Sequence, residues 1–161
     1  MRNTTILAAA AALLLSTTAQ AATCADNTVV EASRIQEFHT GMLVTQMRCR
    51  TAGLDFAPSL IAFETALGKQ LVDAEHRLTT HLAAQDGAGA HDLDNFVTRL
   101  GNRYGQGPLT LTSCAAFRDV ADALSQPEAG DATLAFYARA MVPTPPLATQ
   151  ACAVQIARRA P

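Results

Sequence analysis

Four cysteines, at positions 24, 49, 114 and 152, constrain this 161-residue chain more than any other feature. Their meaning depends on the segment ahead of them. The opening "MRNTTILAAAAALLLSTTAQAA" follows the plan of an export signal. Arg2 supplies a positive n-region, Ile6 to Leu15 an apolar h-region, and Ala19 and Ala21 the small residues of a cleavage site. The h-region is too short to cross a hydrocarbon core of ~30 Å as a helix. Cleavage is expected after Ala21, so that residues 1–21 are a signal peptide and 22–161 one domain in an oxidising compartment, periplasmic or secreted. Ala21, Ala22 and Thr23 make a poor lipidation signal ahead of Cys24, so that cysteine counts with the other three. An even number of cysteines in such a compartment reads as two disulfides.

Helical periodicity fixes where the cysteines stand. Thr28 and Glu31 have capping-box spacing and are expected to open a helix that runs to about Arg50. Ile35, Phe38, Met42 and Cys49 share one face of it, and Gly53 supplies a left-handed stop. Helix two is expected from near Asp55, with Pro58 tolerated in its first turn. Its apolar residues Leu60, Phe63, Leu67, Leu71, Ala74, Leu78 and Leu82 recur every three or four positions, the clearest stripe in the chain. Lys69, Asp73 and Arg77 follow one another at i, i+4 on a solvated side. "QDGAGA" then breaks the helix.

Helix three is expected over about Asp92 to Tyr104, with Leu93, Phe96, Val97 and Leu100 inward and "YGQGP" ending it. Helix four starts near Ser113, carries Cys114, Phe117, Val120 and Leu124, and stops before Pro127. A short fifth helix spans about Asp131 to Met141 with Leu134 and Tyr137, before an extended Pro-rich turn, "PTPP" at 143–146, and a C-terminal tail. Strand alternation and internal repeats are absent. The expected fold is all-α, a compact up-down bundle of four main helices plus a short fifth, stapled by two disulfides.

Of the three ways to pair four cysteines, helix length removes one. Cys24 precedes helix one and Cys49 closes it, so at ~1.5 Å per residue they stand ~30 Å apart, whereas a disulfide needs Cα atoms within ~7 Å. Direction of travel chooses between the remaining two. In an up-down order helix four begins at the end where helix one finishes, which puts Cys114 beside Cys49. The tail is then left to bring Cys152 to Cys24. Arg48 and Arg50 flank Cys49 and could in principle stabilise a reactive thiolate. The even cysteine count and the lack of C-x-x-C favour a staple, with the arginines serving the C-terminal carbonyls of helix one.

The net charge is −2, or −3 once Arg2 is removed. That is too weak and too acidic for a nucleic-acid or anionic-membrane surface. Tryptophan is missing and aromatics make up 5% of the chain, which favours helices packed through small residues.

Chemistry-bearing patterns are sparse. Asp73-x-x-His76 is half of a carboxylate–histidine pair without the second copy a di-iron bundle requires. His76 and His81 are five apart, wrong for one helical metal face. His39 and His91 have no companion at ligand spacing, and His91 beside Asp92 suits a helix start. Neither G-x-S-x-G nor H-E-x-x-H occurs. "GNRYGQG" lacks the strand-to-helix context of a phosphate loop. Glu37 and Glu64 could form a paired-carboxylate glycosidase site only if both faced one cleft. No catalytic residue, metal or cofactor is therefore expected.

"MLVTQMRCR" followed by a Leu-rich helix and "FVTRLGNRYG" resembles a group of short, exported, all-helical alphaproteobacterial proteins without an established function. Some of that group carry the label S-adenosylhomocysteine hydrolase, an activity that uses NAD bound at a G-x-G-x-x-G turn, which this chain lacks. The resemblance implies export and a helical fold and supplies no catalytic residue. The expected role is a non-catalytic periplasmic binding or interaction module whose partner is an envelope protein or another envelope component. The alternatives are a small-ligand carrier with a cavity between helices one, two and four, or a small envelope hydrolase using Glu37 or Glu64. Finally, Gly41 and Gly68 interrupt good helices, and a level antiparallel hairpin would set them against each other as a point of close backbone approach.

Overall fold

A computed structural model describes residues 24–86 and 90–152. The expected signal peptide, part of the "QDGAGA" connection and Arg158 and Arg159 lie outside the described residues. Five helices follow in order: α1 Asn27–Thr51, α2 Ala57–Asp86, α3 Ala90–Gly105, α4 Leu111–Leu124 and α5 Asp131–Met141. A short 3₁₀ turn, Ala148–Gln150, comes last. No helix among the described residues is long and apolar enough to cross a membrane.

α1 is the central helix, packed against all four others. That position explains why its apolar stripe is weak in the sequence and why it buries polar residues. Ser33 Oγ donates to the Val30 carbonyl and Thr40 Oγ1 to the Gln36 carbonyl, each at 2.8 Å. Buried hydroxyls satisfied by their own helix carry little penalty. The expected Thr28–Glu31 capping box does not form. Asp26 is the cap instead, its Oδ1 accepting from the amides of Thr28 at 2.8 Å and Val29 at 2.9 Å. A bond from the Thr28 hydroxyl, with those from the amides, holds the Asp26 carboxyl below the usual range. Glu31 is thereby free to face α5.

Gly53, at φ 96°, ends α1 as expected. Asp55 then accepts from the Ala57 amide at 2.9 Å and from Gln46 Nε2 at 2.8 Å, tying the start of α2 to the end of α1. α2 is broken at Leu67, whose φ of −115° and ψ of 19° leave the helical region. Its first half faces α4 and its second half α3, and the stripe follows both. Capping-box geometry occurs instead at α4, between Thr110 and Ser113.

Two apolar clusters result. The larger one gathers Phe38 and Met42 of α1, Phe63 and Leu67 of α2, Leu124 of α4 and Leu134 of α5, with the Phe38 and Phe63 rings edge-on at 6.1 Å. The smaller one joins Leu78, Phe96 and Leu100 to Ala25 and Leu147 from the two ends of the domain. The disulfides are Cys49–Cys114, at the heart of the larger cluster, and Cys24–Cys152, beside the smaller one. Among the described residues no cysteine is free.

Two expectations about α1 are corrected. Arg48 does not serve its own helix: its guanidinium donates to the carbonyls of Tyr104 at 2.8 Å, Gln106 at 3.3 Å and Gly107 at 2.7 Å, closing the C-terminal end of α3. Gly41 does not meet Gly68. A Cβ at position 41 would lie 3.1 Å from the Tyr104 ring, whereas one at 68 would meet nothing within 4 Å. The close approach exists, but it is a ring of α3 seated on α1.

Candidate functional site

α5 leans on α1 and α4, which leaves a trough between it and the second half of α2. The break at Leu67 falls just before that half begins, and α2 lines the trough from Lys69 to Arg77. The trough is a cleft of about 410 Å³. Ala32 and Ile35 of α1, Ala74 of α2 and Leu134 and Ala135 of α5 make its apolar floor. Ala32, Ala74 and Leu134 are themselves buried, so the small side chains create room rather than fill it.

Charges ring this floor. On α2, Lys69 Nζ and Asp73 Oδ2 pair at 2.5 Å. Their hydrogen bond is the main reason the lysine is held above, and the aspartate below, its ordinary pKa. Asp131, at the start of α5, adds its charge to the field on Lys69. Glu31 is committed to two arginines, Arg34 Nε at 3.2 Å and Arg139 Nε at 3.3 Å. Arg34 also donates to the Val142 carbonyl, binding the end of α5 to α1. Arg77 differs from these groups: it lines the cleft, yet among the described residues no hydrogen bond or ion pair engages its guanidinium. Chemically the cleft offers an apolar floor and two charged groups with no hydrogen bond or ion pair among the described residues, Arg77 on α2, which lies in the field of Asp73, and Asp131 on α5.

The other sequence candidates are dispersed. Glu37 faces α3, its Oε1 accepting from Arg103 Nη1 at 2.8 Å and the Tyr104 hydroxyl at 3.2 Å. Burial, then the charge of Glu37, pushes the Tyr104 phenol up to about 12. Glu64 belongs to a separate pair, His39 Nε2 to Glu64 Oε1 at 2.8 Å, between α1 and α2. The two glutamates thus occupy different interfaces and form no paired-carboxylate cleft. His81 is buried and accepts from Gln85 Nε2 at 2.8 Å, whereas His76 is exposed. Among the described residues no three His, Cys, Asp or Glu side chains gather as a metal site would require.

The cavity expected between helices one, two and four lies instead between α1, α2 and α5, because α4 fills the space beside the first half of α2. Asp131, Leu134 and Ala135 were therefore missed as lining residues. Ala32, Ala74 and Ala135 gave no usable signal, because alanine recurs throughout α2 and α5. Compared with family models, curated proteins and solved structures, the chain matches none.

Proposed function

We propose that this protein is a non-catalytic binding module of the periplasm or extracellular space, and that the α1/α2/α5 cleft receives a small molecule with an apolar body and one anionic group. The cleft carries the reading: its volume of about 410 Å³ lies within the ~300–1,000 Å³ of small-molecule sites. The anion preference is assigned to Arg77, whose guanidinium makes no hydrogen bond or ion pair among the described residues, whereas Lys69 is held by Asp73; the carboxylate of Asp131 on the α5 side is also unpaired and sets the limit on that preference. Two disulfides suit an oxidising compartment. The segments carrying the resemblance to exported helical proteins meet at the α1/α3 interface, where Arg48 closes α3.

Calorimetric titration with decanoate tests the proposal, with decyltrimethylammonium as the opposite-charge control. Binding of the carboxylate alone is expected, weakened about tenfold by Arg77→Ala. Equal binding of both probes, or of neither, contradicts it. A partner-protein role has one observation in its favour. Leu43 and Met47, one turn apart on α1, are exposed, as is Ile61 on α2. Co-purification that captures an envelope protein on the native chain and loses it on Leu43→Asp would establish that role.

A further inference from the structure

The two disulfides close long loops and yet stand in opposite environments. Cys49 and Cys114 are fully buried within the larger cluster. Cys24 is exposed and Cys152 half-buried. What the outer disulfide holds is a strap, residues 142–152, which returns from α5 and lies against the smaller cluster. Leu147 is 4% exposed there, packed with Ala25, Leu78, Phe96 and Leu100. Beyond the disulfide, the far end of the strap is fixed by a single parallel bridge. Ala25 donates to the Gln150 carbonyl at 2.9 Å, and Cys152 donates to the Ala25 carbonyl at 2.8 Å.

The strap also walls a second cleft of about 380 Å³, between it, the end of α2 and α3. Pro146, Leu147 and Gln150 face Phe96, Arg99 and Leu100 across this space. Removing the strap would bare an apolar surface flanked by the α3 arginines.

From this arrangement we infer that Cys24–Cys152 is a site of reversible thiol–disulfide exchange which latches the strap, whereas Cys49–Cys114 is a permanent staple. The co-reactant is a dithiol of the same compartment. Its thiolate attacks the Sγ of Cys24, the more exposed residue of the pair. The Cys24–Cys152 bond breaks, a mixed disulfide forms on Cys24, and Cys152 leaves as a thiolate that takes a proton from water. The second thiol of the dithiol then displaces Cys24, which is protonated in turn. The protein has gained two electrons and two protons, and the dithiol has become a disulfide. Access governs the selectivity, since exchange requires in-line approach to a sulfur and the inner pair offers none without unfolding. Once released, the strap stays anchored at its start by buried Val142, whose carbonyl Arg34 holds, while its far end keeps only the bridge and the burial of Pro145 and Leu147.

The test treats the folded, fully oxidised protein with dithiothreitol in native buffer, traps thiols by alkylation, and maps them by mass spectrometry. A species labelled at Cys24 and Cys152 should accumulate at least about tenfold faster than label at Cys49 and Cys114. Amide exchange in that species should rise over 143–152 and on α3 around Phe96 and Leu100, and fall again on reoxidation. The variant Cys24→Ser/Cys152→Ser should show the same raised exchange with α1 and α2 still protected. Simultaneous reduction of both disulfides overturns the selectivity. A doubly labelled species or double-serine variant whose strap exchanges as slowly as in the oxidised protein overturns the latch.

Discussion

Replacing Gly41 with alanine sets a gain in helix propensity against a collision, and the geometry allows both to be weighed. The propensity term favours alanine by about 1 kcal/mol in a helix interior. Against it, the new Cβ would sit 3.1 Å from both Cε1 and Cζ of Tyr104, where unstrained carbons prefer about 3.5–4.0 Å. The ring must retreat by roughly half an ångström. Its hydroxyl is already 3.2 Å from Glu37 Oε1, at the long end of a hydrogen bond, so retreat breaks it. Glu37 can ill spare that donor, since its Oε2 is buried without a partner. A hydrogen bond to a charged acceptor contributes about 1.5–3 kcal/mol, and the half-buried phenol reduces that to about 1–2 kcal/mol. Gly41→Ala should therefore be neutral to about 1 kcal/mol destabilising. Gly68→Ala has nothing within 4 Å to meet and should stabilise by about 0.5–1 kcal/mol. Urea unfolding of the two variants measures the contrast, about 0.5–2 kcal/mol. In a Tyr104→Ala background the collision is gone, and Gly41→Ala should then stabilise like Gly68→Ala. Equal stabilisation by both substitutions in the parent chain would show that Tyr104 does not rest on Gly41.

Three further outcomes follow from the same contacts. Arg48→Ala, which strips the end of α3 of its three guanidinium bonds, should cost about 1 kcal/mol after allowance for partial exposure, while Arg50→Ala should stay within about 0.5 kcal/mol; denaturant midpoints of the pair decide it. Removing the inner disulfide as Cys49→Ala/Cys114→Ala, across a separation of 65 residues, should lower stability by about 4 kcal/mol in the chain-entropy account, measured by chemical denaturation. In a Tyr137→Phe chain, absorbance at alkaline pH should show Tyr104 titrating near its raised value of about 12. Because the folded pKa lies above the unfolded one, its contribution is complete below pH ~10 and is lost as pH rises through about 12, a loss of about 1 kcal/mol once partial exposure is discounted.

The disulfide pairing was legible in the sequence because two length arguments sufficed, one along helix one and one along the up-down path. The α2 stripe was legible because a helix with one buried side writes its period into the chain, even across the break at Leu67. α1 hid its role for the opposite reason. A helix packed against four neighbours buries more than the face of Phe38, Met42 and Cys49 that the spacing showed, and its buried Ser33, Thr40 and Gln46 read as surface. The targets of Gly41 and Arg48 were invisible for a related cause: both lie on α3 or at its end, more than fifty residues onward, and local spacing carries no information about a third helix. Asp26 displaced Thr28 as the cap because helix entry depends on a backbone turn that the S/T-x-x-E pattern does not specify. The cleft was misplaced by one helix because it depends on where α5 docks sideways, a consequence of the Glu31, Arg34 and Arg139 contacts rather than of periodicity.

An amide-resolved NMR titration of the oxidised protein with decanoate tests the binding assignment most directly. The account predicts saturable shifts at Ala32, Ala74, Arg77, Leu134 and Ala135, the residues that line the cleft, with little change around Glu37 or His39. Shifts centred on α3 and the strap, or none at saturating probe, would contradict it.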